Sequence, residues 1–258
     1  GHGTDLAATA TYATAAPGSY LGSYDIRSHS WSLDLSVTRP LLRRRNRSVW
    51  FQVELAMQNL RQTRLGTLAR DERVVTGRLA LYGYSDVLGG RLRAGICLTQ
   101  RLGILGASSA ANPLASRPDA DGSFTVFGSW AEWTRSLNEG VSLRLAMQGQ
   151  MATRSLPVSQ ELGLGGSAFL RGYDWFERSG DDGIAATAEL RYTLEHPYGL
   201  AQRAQVYAFF DGGAVSNHDS AGGGGSLASL GSGVRADLTR TLGANIELAL
   251  PLSGLRYD

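Results

Sequence analysis

Apolar and polar residues alternate with a period of two along most of this chain. In one run the apolar positions are Trp31, Leu33, Leu35 and Val37, and the residues between them are polar. Because successive side chains of a strand point to opposite faces of a sheet, the pattern predicts strands with one apolar and one polar face. It predicts about eleven strands, near residues 3–14, 24–39, 48–62, 73–84, 90–102, 122–134, 141–152, 184–195, 203–211, 228–238 and 241–250.

The connections between these strands alternate in length. Outer-membrane barrels join their strands in this way, by short periplasmic turns and longer extracellular loops. The alternation of long and short connections therefore favours an all-β fold of the transmembrane antiparallel β-barrel type. A soluble all-β fold is the alternative. The long connections lie near 15–23, 63–72, 103–121, 153–183 and 212–227, and the short ones near 40–47, 85–89, 135–140, 196–202 and 239–240.

In such a barrel the apolar face contacts lipid and the polar face lines the lumen. Within 203–211, Val206 and Phe210 then face lipid, whereas Tyr207 and Asp211 face the lumen. An odd number of strands is unexpected, because bacterial single-chain barrels have an even number and a closed edge. We therefore expect residues 1–258 to form part of a larger barrel. The charged residues predicted to face the lumen are Asp34, Glu54, Arg78, Arg93, Arg144, Glu189, Arg191, Arg235, Asp237 and Glu247.

Composition and charge exclude several functions. All 25 basic residues are arginine, and with 23 acidic residues the net charge is only +2, which argues against a general nucleic-acid binder. A single cysteine excludes a disulfide framework, and the four histidines are too scattered for a metal site. No nucleophile and base are placed as a catalytic pair. We expect no enzymatic activity, no catalytic residues, no cofactor and no metal.

The longest connection, about 153–183, carries glycines around one arginine. It contains Gly165, Gly166, Arg171, Gly172 and Tyr173. The paired glycines permit positive φ and close backbone approach. Further along, the run Phe209-Phe210-Asp211-Gly212-Gly213 places Asp211 on the predicted lumen face. A carboxylate in a partly dry lumen needs a partner, so Arg171 and Asp211 form a candidate ion pair. Glu189 and Arg191 are secondary candidates.

These motifs resemble those shared by an outer-membrane assembly and secretion superfamily. The resemblance is closest to the TpsB transporters of two-partner secretion, the ShlB/FhaC/HecB type. It rests on the loop from Gly165 to Tyr173, on Gly180-Asp181-Asp182-Gly183, on Glu189-Leu190-Arg191 and on Phe209-Phe210-Asp211-Gly212-Gly213. Weaker support comes from Thr38-Arg39-Pro40-Leu41-Leu42-Arg43-Arg44-Arg45, from Gly103-Ile104-Leu105-Gly106-Ala107-Ser108 and from Ser116-Arg117-Pro118.

The resemblance implies a barrel of about sixteen strands, of which this chain holds most. It implies that POTRA domains, a plugging helix and a terminal strand lie outside residues 1–258. The implied function is secretion of a large partner exoprotein, of the TpsA type, through the polar lumen of a monomeric barrel. The implied location is the lipid bilayer of the bacterial outer membrane, with no nucleotide and no nucleic acid as partner. The alternatives are a barrel insertase of the same superfamily, a diffusion porin, and a barrel fused to a hydrolase.

Overall fold

The computed structural model describes residues 3–16, 19–109, 112–120, 122–199, 201–218 and 224–254. Eleven strands form one antiparallel sheet whose hydrogen-bonded order follows the chain, and two short strands pair within the longest connection. The strands are β1 Asp5–Ala15, β2 Arg27–Arg44, β3 Arg47–Arg64, β4 Thr67–Val87, β5 Gly90–Arg101, β6 Thr125–Ser136, β7 Val141–Ala152, β8 Leu162–Leu164, β9 Arg178–Gly180, β10 Asp182–Glu195, β11 Arg203–Ser216, β12 Gly225–Asp237 and β13 Gly243–Pro251. Short 3₁₀ helices span Ser19–Tyr24, Val158–Gln160 and Pro197–Gly199. None of the helices in the described residues is both long and apolar enough to cross a membrane.

The predicted all-β fold is confirmed, and each predicted strand of the sheet is present. The predicted long loop at 63–72 is wrong. There β3 and β4 continue to a tight turn of Leu65 and Gly66, which have φ values of 50° and 74°. Polar residues occupy both faces at this end of the hairpin, so the alternation that marks a strand disappears although the pairing continues. The predicted connection 212–227 is also shorter, because β11 reaches Ser216, and residues 219–223 lie outside the described residues.

The described residues group into two compact units. The first comprises Gly1–Gly83, Gly95–Gly128 and Met151–Glu161. In this unit β2 pairs with β1 and with β3, and a register shift follows Pro40. Proline lacks the N–H that a regular ladder needs, so a local irregularity is expected there. The buried core of the unit consists of Val74, Phe124, Val126 and Leu156.

The second unit comprises Tyr84–Ala94, Ser129–Gln150 and Leu162–Asp258. One face of its strands is apolar and exposed, and the opposite face is polar and buried. Leu190 and Phe210 are 51% and 53% exposed, whereas Glu189 and Asp211 are 1% and 0% exposed. This is the arrangement of a sheet whose outer face meets lipid, and the predicted phase of 203–211 is correct. We refer to the face bearing Glu189 and Asp211 as the inner face, and to the opposite face as the outer face.

The loop between β8 and β9 folds back on the inner face of the second unit. Leu164, Leu170 and Tyr173 of the loop pack with Ala185 and Val215 of the wall, and with Leu227. This apolar contact holds the arginine-bearing turn against the strands.

Candidate functional site

The guanidinium of Arg171 is held by the carboxylate of Asp211. Nε donates to Oδ2 over 3.0 Å, and Nη2 donates to Oδ1 over 2.9 Å. The backbone N–H of Arg171 also donates to Oδ2, over 3.0 Å. Two parallel charge-assisted bonds fix both the distance and the orientation of the partners. The structure therefore brings together the two residues that the sequence analysis paired.

Three further side chains bind the remaining donors of Arg171. Nη1 donates to Oε2 of Glu189 over 2.8 Å and to Oε2 of Glu247 over 3.4 Å. Nη2 also donates to Oγ1 of Thr187 over 3.0 Å. Since Thr187 and Glu189 lie on β10, Asp211 on β11 and Glu247 on β13, the loop arginine is bound to three strands.

Aromatic and basic side chains complete this cluster. The Cζ atom of Arg171 lies 3.4 Å from the centroid of the Phe209 ring, which favours a cation–π contact. Arg191 and Arg235 both donate to Oε1 of Glu189, over 2.7 and 2.8 Å. The secondary candidates Glu189 and Arg191 are thus in contact with each other, and Glu189 links Arg191 to Arg171.

The environment of Arg171 keeps its side chain charged. Burial lowers the pKa of the guanidinium, but its hydrogen bonds to Asp211 and Glu189 outweigh burial and raise the pKa above its ordinary value. The side chains of Arg171, Glu189 and Asp211 are 7%, 1% and 0% exposed, so this ion cluster is almost wholly removed from solvent. Breaking it would leave a buried charge without a partner, which is costly.

The loop backbone explains the glycines of the motif. Gly165 and Gly166 have φ values of 107° and 101°, and a Cβ on Gly165 would collide with the carbonyl oxygen of Asp174. The two arms of the loop can approach only without that side chain. Gly172 adopts φ of 94° beside Arg171, in a turn closed by a bond from the N–H of Tyr173 to the carbonyl of Leu170.

Tyr173 fixes the far side of the loop. Its hydroxyl donates to the carbonyl of Ala228 over 2.8 Å and accepts from the N–H of Ser253 over 2.8 Å. Both partners are backbone groups, at β12 and just after β13. The site therefore has two attachments, the Arg171 cluster and this tyrosine.

The site also contains four residues that were not predicted to belong to it, Thr187, Phe209, Arg235 and Glu247. Strand phase places Thr187 on the same face as Glu189, and hairpin pairing places it opposite Asp211. This signal was available from the sequence. Glu247 was predicted to face the lumen, but its proximity depends on the register of β12 and β13, which no local motif reveals.

A second buried arginine lies in the first unit. Arg117 donates through Nε to Oδ1 of Asp119 over 3.1 Å and through Nη1 to Oε1 of Glu161 over 2.8 Å. The hydrogen bond from Arg117 lowers the pKa of Asp119 below its ordinary value, against the effect of burial. Next to it, the N–H of Ser116 donates to Glu72 over 3.2 Å, and the Ser116 hydroxyl accepts from the N–H of Val158 over 3.1 Å.

Metal chemistry finds no support in the described residues. There no group of three or more His, Cys, Asp or Glu side chains is placed to hold a metal ion. The carboxylates of the loop cluster are occupied by guanidinium groups instead. The arrangement is suited to fastening a loop to a wall.

Comparison with known proteins identifies the family and the fold. The profile described as haemolysin secretion/activation protein ShlB/FhaC/HecB matches residues 6–236. CdiB from Escherichia coli superposes with a TM-score of 0.84 at 17% identity, covering 98% of this chain and 48% of that chain. CdiB from Acinetobacter baumannii gives a TM-score of 0.77 at 16% identity, covering 98% and 45%. BamA from Haemophilus ducreyi lacking POTRA domains 1-3 gives 0.63 at 12% identity, covering 98% and 60%.

This chain thus spans about half the length of the two CdiB structures. No curated protein gives a significant match. The family and these structural neighbours are outer-membrane β-barrel proteins, which confirms the predicted fold and the predicted location in the bacterial outer membrane. The chain belongs to the ShlB/FhaC/HecB family of haemolysin secretion/activation proteins.

Proposed function

We propose that residues 1–258 form most of the barrel of a TpsB transporter, which secretes a large exoprotein of the TpsA type across the outer membrane. Family membership supports the kind of transport and the kind of partner. In this proposal POTRA domains, a plugging helix and the terminal strand belong to the rest of the protein. The barrel works as a monomer, without nucleotide or cofactor.

The observation that carries this proposal is the attachment of the 162–180 loop to the inner face. One guanidinium binds carboxylates on three strands, and Leu170 is fully buried against the same wall. Such a loop lies on the inner face, which is the lumen side in this proposal. The exoprotein then passes unfolded beside the loop, along a wall that supplies polar groups to its backbone.

The proposed role of Arg171 is to hold the pore in one defined state while the chain passes. Gly165, Gly166, Gly172 and Tyr173 give the loop the shape that delivers Arg171 to Asp211. Glu189 positions the guanidinium, and Arg191 neutralises the second oxygen of Glu189. In this role these residues bind and position the loop, and the protein serves as a passage for the exoprotein.

Connection lengths support an orientation for the sheet. Within the second unit, the connections 88–89, 137–140 and 238–242 lie at the same end of the antiparallel strands and are short. We assign this end to the periplasm and the opposite end to the cell surface.

A secretion assay tests the function. Cells carry the full-length protein together with its TpsA-type exoprotein, and exoprotein in the medium is compared with barrel in the outer membrane. Arg171→Ala should reduce secretion at least tenfold with the barrel still inserted, whereas Arg240→Ala, at an exposed turn position, should secrete normally. Unchanged secretion by Arg171→Ala would contradict the role of the loop.

The same cells distinguish the alternatives. A diffusion porin would raise uptake of small solutes without exporting any exoprotein. A barrel insertase would, when depleted, lower the amounts of unrelated outer-membrane barrels. Loss of only the exoprotein from the medium supports the transporter.

A further inference from the structure

The outer face of the second unit carries a groove. Its floor consists of the small residues Ala131, Ala186, Ala188 and Gly212, and it has a volume of about 680 Å³. The height of a sheet surface at each position depends on the size of the side chain there, because residues that point to the same face lie next to one another. A patch of alanine and glycine is therefore a depression wherever large residues surround it.

Large apolar residues form the walls of this groove. Phe210 is 53% exposed and Met147 is 42% exposed, and both line it together with Trp133. The Nε1 of Trp133 donates to the carbonyl of Val87 over 3.0 Å. A Cβ on Gly90 would lie 2.8 Å from that Nε1, so the indole lies directly against a glycine. The tryptophan wall is therefore held in place, and the groove exists before any ligand enters.

A positive charge lies beyond the tryptophan. Arg135 is exposed and follows Trp133 by two positions in β6, so it lies on the same face and nearer the 137–140 turn. Among the described residues, no carboxylate pairs with Arg135. Arg135 does not line the groove, but an apolar groove with an unpaired guanidinium nearby on the same face matches a ligand with a hydrocarbon chain and a phosphate.

We propose that this groove binds one phospholipid of the periplasmic leaflet, with an acyl chain between Met147 and Phe210 and the phosphate at Arg135. Burial of methylene groups in the groove favours binding of the acyl chain, and the guanidinium attracts the anionic phosphate. The periplasmic source follows from the position of Arg135 at the short-turn end of β6. The proposal rests on the outer-membrane location and on that orientation, and it is independent of what the barrel transports.

Native mass spectrometry of the full-length protein in detergent tests the proposal, with palmitoyl-oleoyl phosphatidylglycerol as the added lipid. We expect one retained lipid on the unmodified protein. Ala186→Leu fills the floor and should lower retention about tenfold, since several methylenes lose their contacts. The matched control is Ala208→Leu, at an exposed outward position of β11 outside the groove, which should retain the lipid.

The headgroup and the lipid source are tested separately. Arg135→Gln should weaken retention about fivefold, the factor that 1 kcal/mol represents, and Arg240→Gln should not. Lipid A added in place of phosphatidylglycerol should be retained less. Equal retention by Ala186→Leu and Ala208→Leu, or preference for lipid A, would overturn the proposal. Heat-modifiable electrophoretic mobility establishes that each variant is folded, and secretion by the same variants separates this result from the proposed function.

Discussion

Leu170 stands directly against the backbone of Gly213. A Cβ added to Gly213 would lie 3.0 Å from Cδ1 of Leu170 and 3.1 Å from Cδ2 of Leu164. The second glycine of the Asp211-Gly212-Gly213 run therefore makes room for the loop that Asp211 binds. One short motif supplies both the carboxylate and the space beside it.

Replacing Gly213 by alanine should loosen the loop. The added methyl must displace Leu170, Leu164 or the carbonyl of Ile184, which lies 2.9 Å from it, and overpacking of this kind costs about 1–3 kcal/mol. Limited proteolysis of the folded full-length protein should then cut within 165–177 at lower protease concentration.

The neighbouring glycine provides the control. A Cβ on Gly212 meets only Cε1 of Phe210, at 3.8 Å, so Gly212→Ala should behave like the unmodified protein. Equal protease sensitivity of the two variants would contradict the close contact between Leu170 and Gly213.

Arg171→Ala and Asp211→Ala should each destabilise the barrel by about 3–5 kcal/mol, because each leaves a buried charge without its partner. The double variant should be little worse than either single variant, since both remove the same interaction. Urea unfolding of the full-length protein in detergent measures all three. Arg171→Lys should recover only part of the stability, because an ammonium group cannot form the two parallel bonds.

Additive losses in this cycle would mean that Arg171 and Asp211 act separately. Arg203→Ala serves as the reference, because its contact with Glu195, at 4.0 Å, is solvent-exposed and should contribute little.

Tyr173→Phe should release the segment after β13 while leaving the Arg171 cluster in place. The change leaves the carbonyl of Ala228 and the N–H of Ser253 without the hydroxyl, at a cost of about 1–3 kcal/mol. Hydrogen–deuterium exchange should rise at 252–254. Tyr192→Phe, on the exposed side of β10, should show no such rise.

The 112–120 segment should become mobile in acid. The folded-state pKa of Asp119 lies below its unfolded value, so its contribution to stability is complete above the unfolded pKa of about 3.9 and is lost as the pH falls through the folded pKa. The hydrogen-exchange protection factors of Asp119 and Ala120, after correction for the pH dependence of intrinsic amide exchange, should therefore fall below about pH 4. In Asp119→Asn this acid-induced step should be absent, and exchange should already be fast at pH 7.

The face of the sheet to which each side chain points was predictable. Burial of one face requires apolar residues at every second position, and the sequence has this pattern. The contact between Arg171 and Asp211 was also predictable. The alternation places Asp211 on the lumen face, and a buried carboxylate there needs a partner. The turn at Leu65 and Gly66 was missed, since both faces of that hairpin end are polar and the sequence resembles a loop. Arg117 lies in a motif that was recognised, but its ion pair with Glu161 was not predicted, because the two residues are 44 positions apart in the sequence.

The Arg171 cluster contains three arginines, Arg171, Arg191 and Arg235, and three carboxylates, those of Glu189, Asp211 and Glu247. Its formal charge is therefore zero, although it is the most highly charged part of the described wall of β10–β13. At physiological ionic strength such a balanced group has little influence beyond a Debye length of about 8 Å. In the proposed transport, acidic and basic stretches of the exoprotein would meet the same electrostatic conditions at this cluster, so the cluster would not select the exoprotein by its charge.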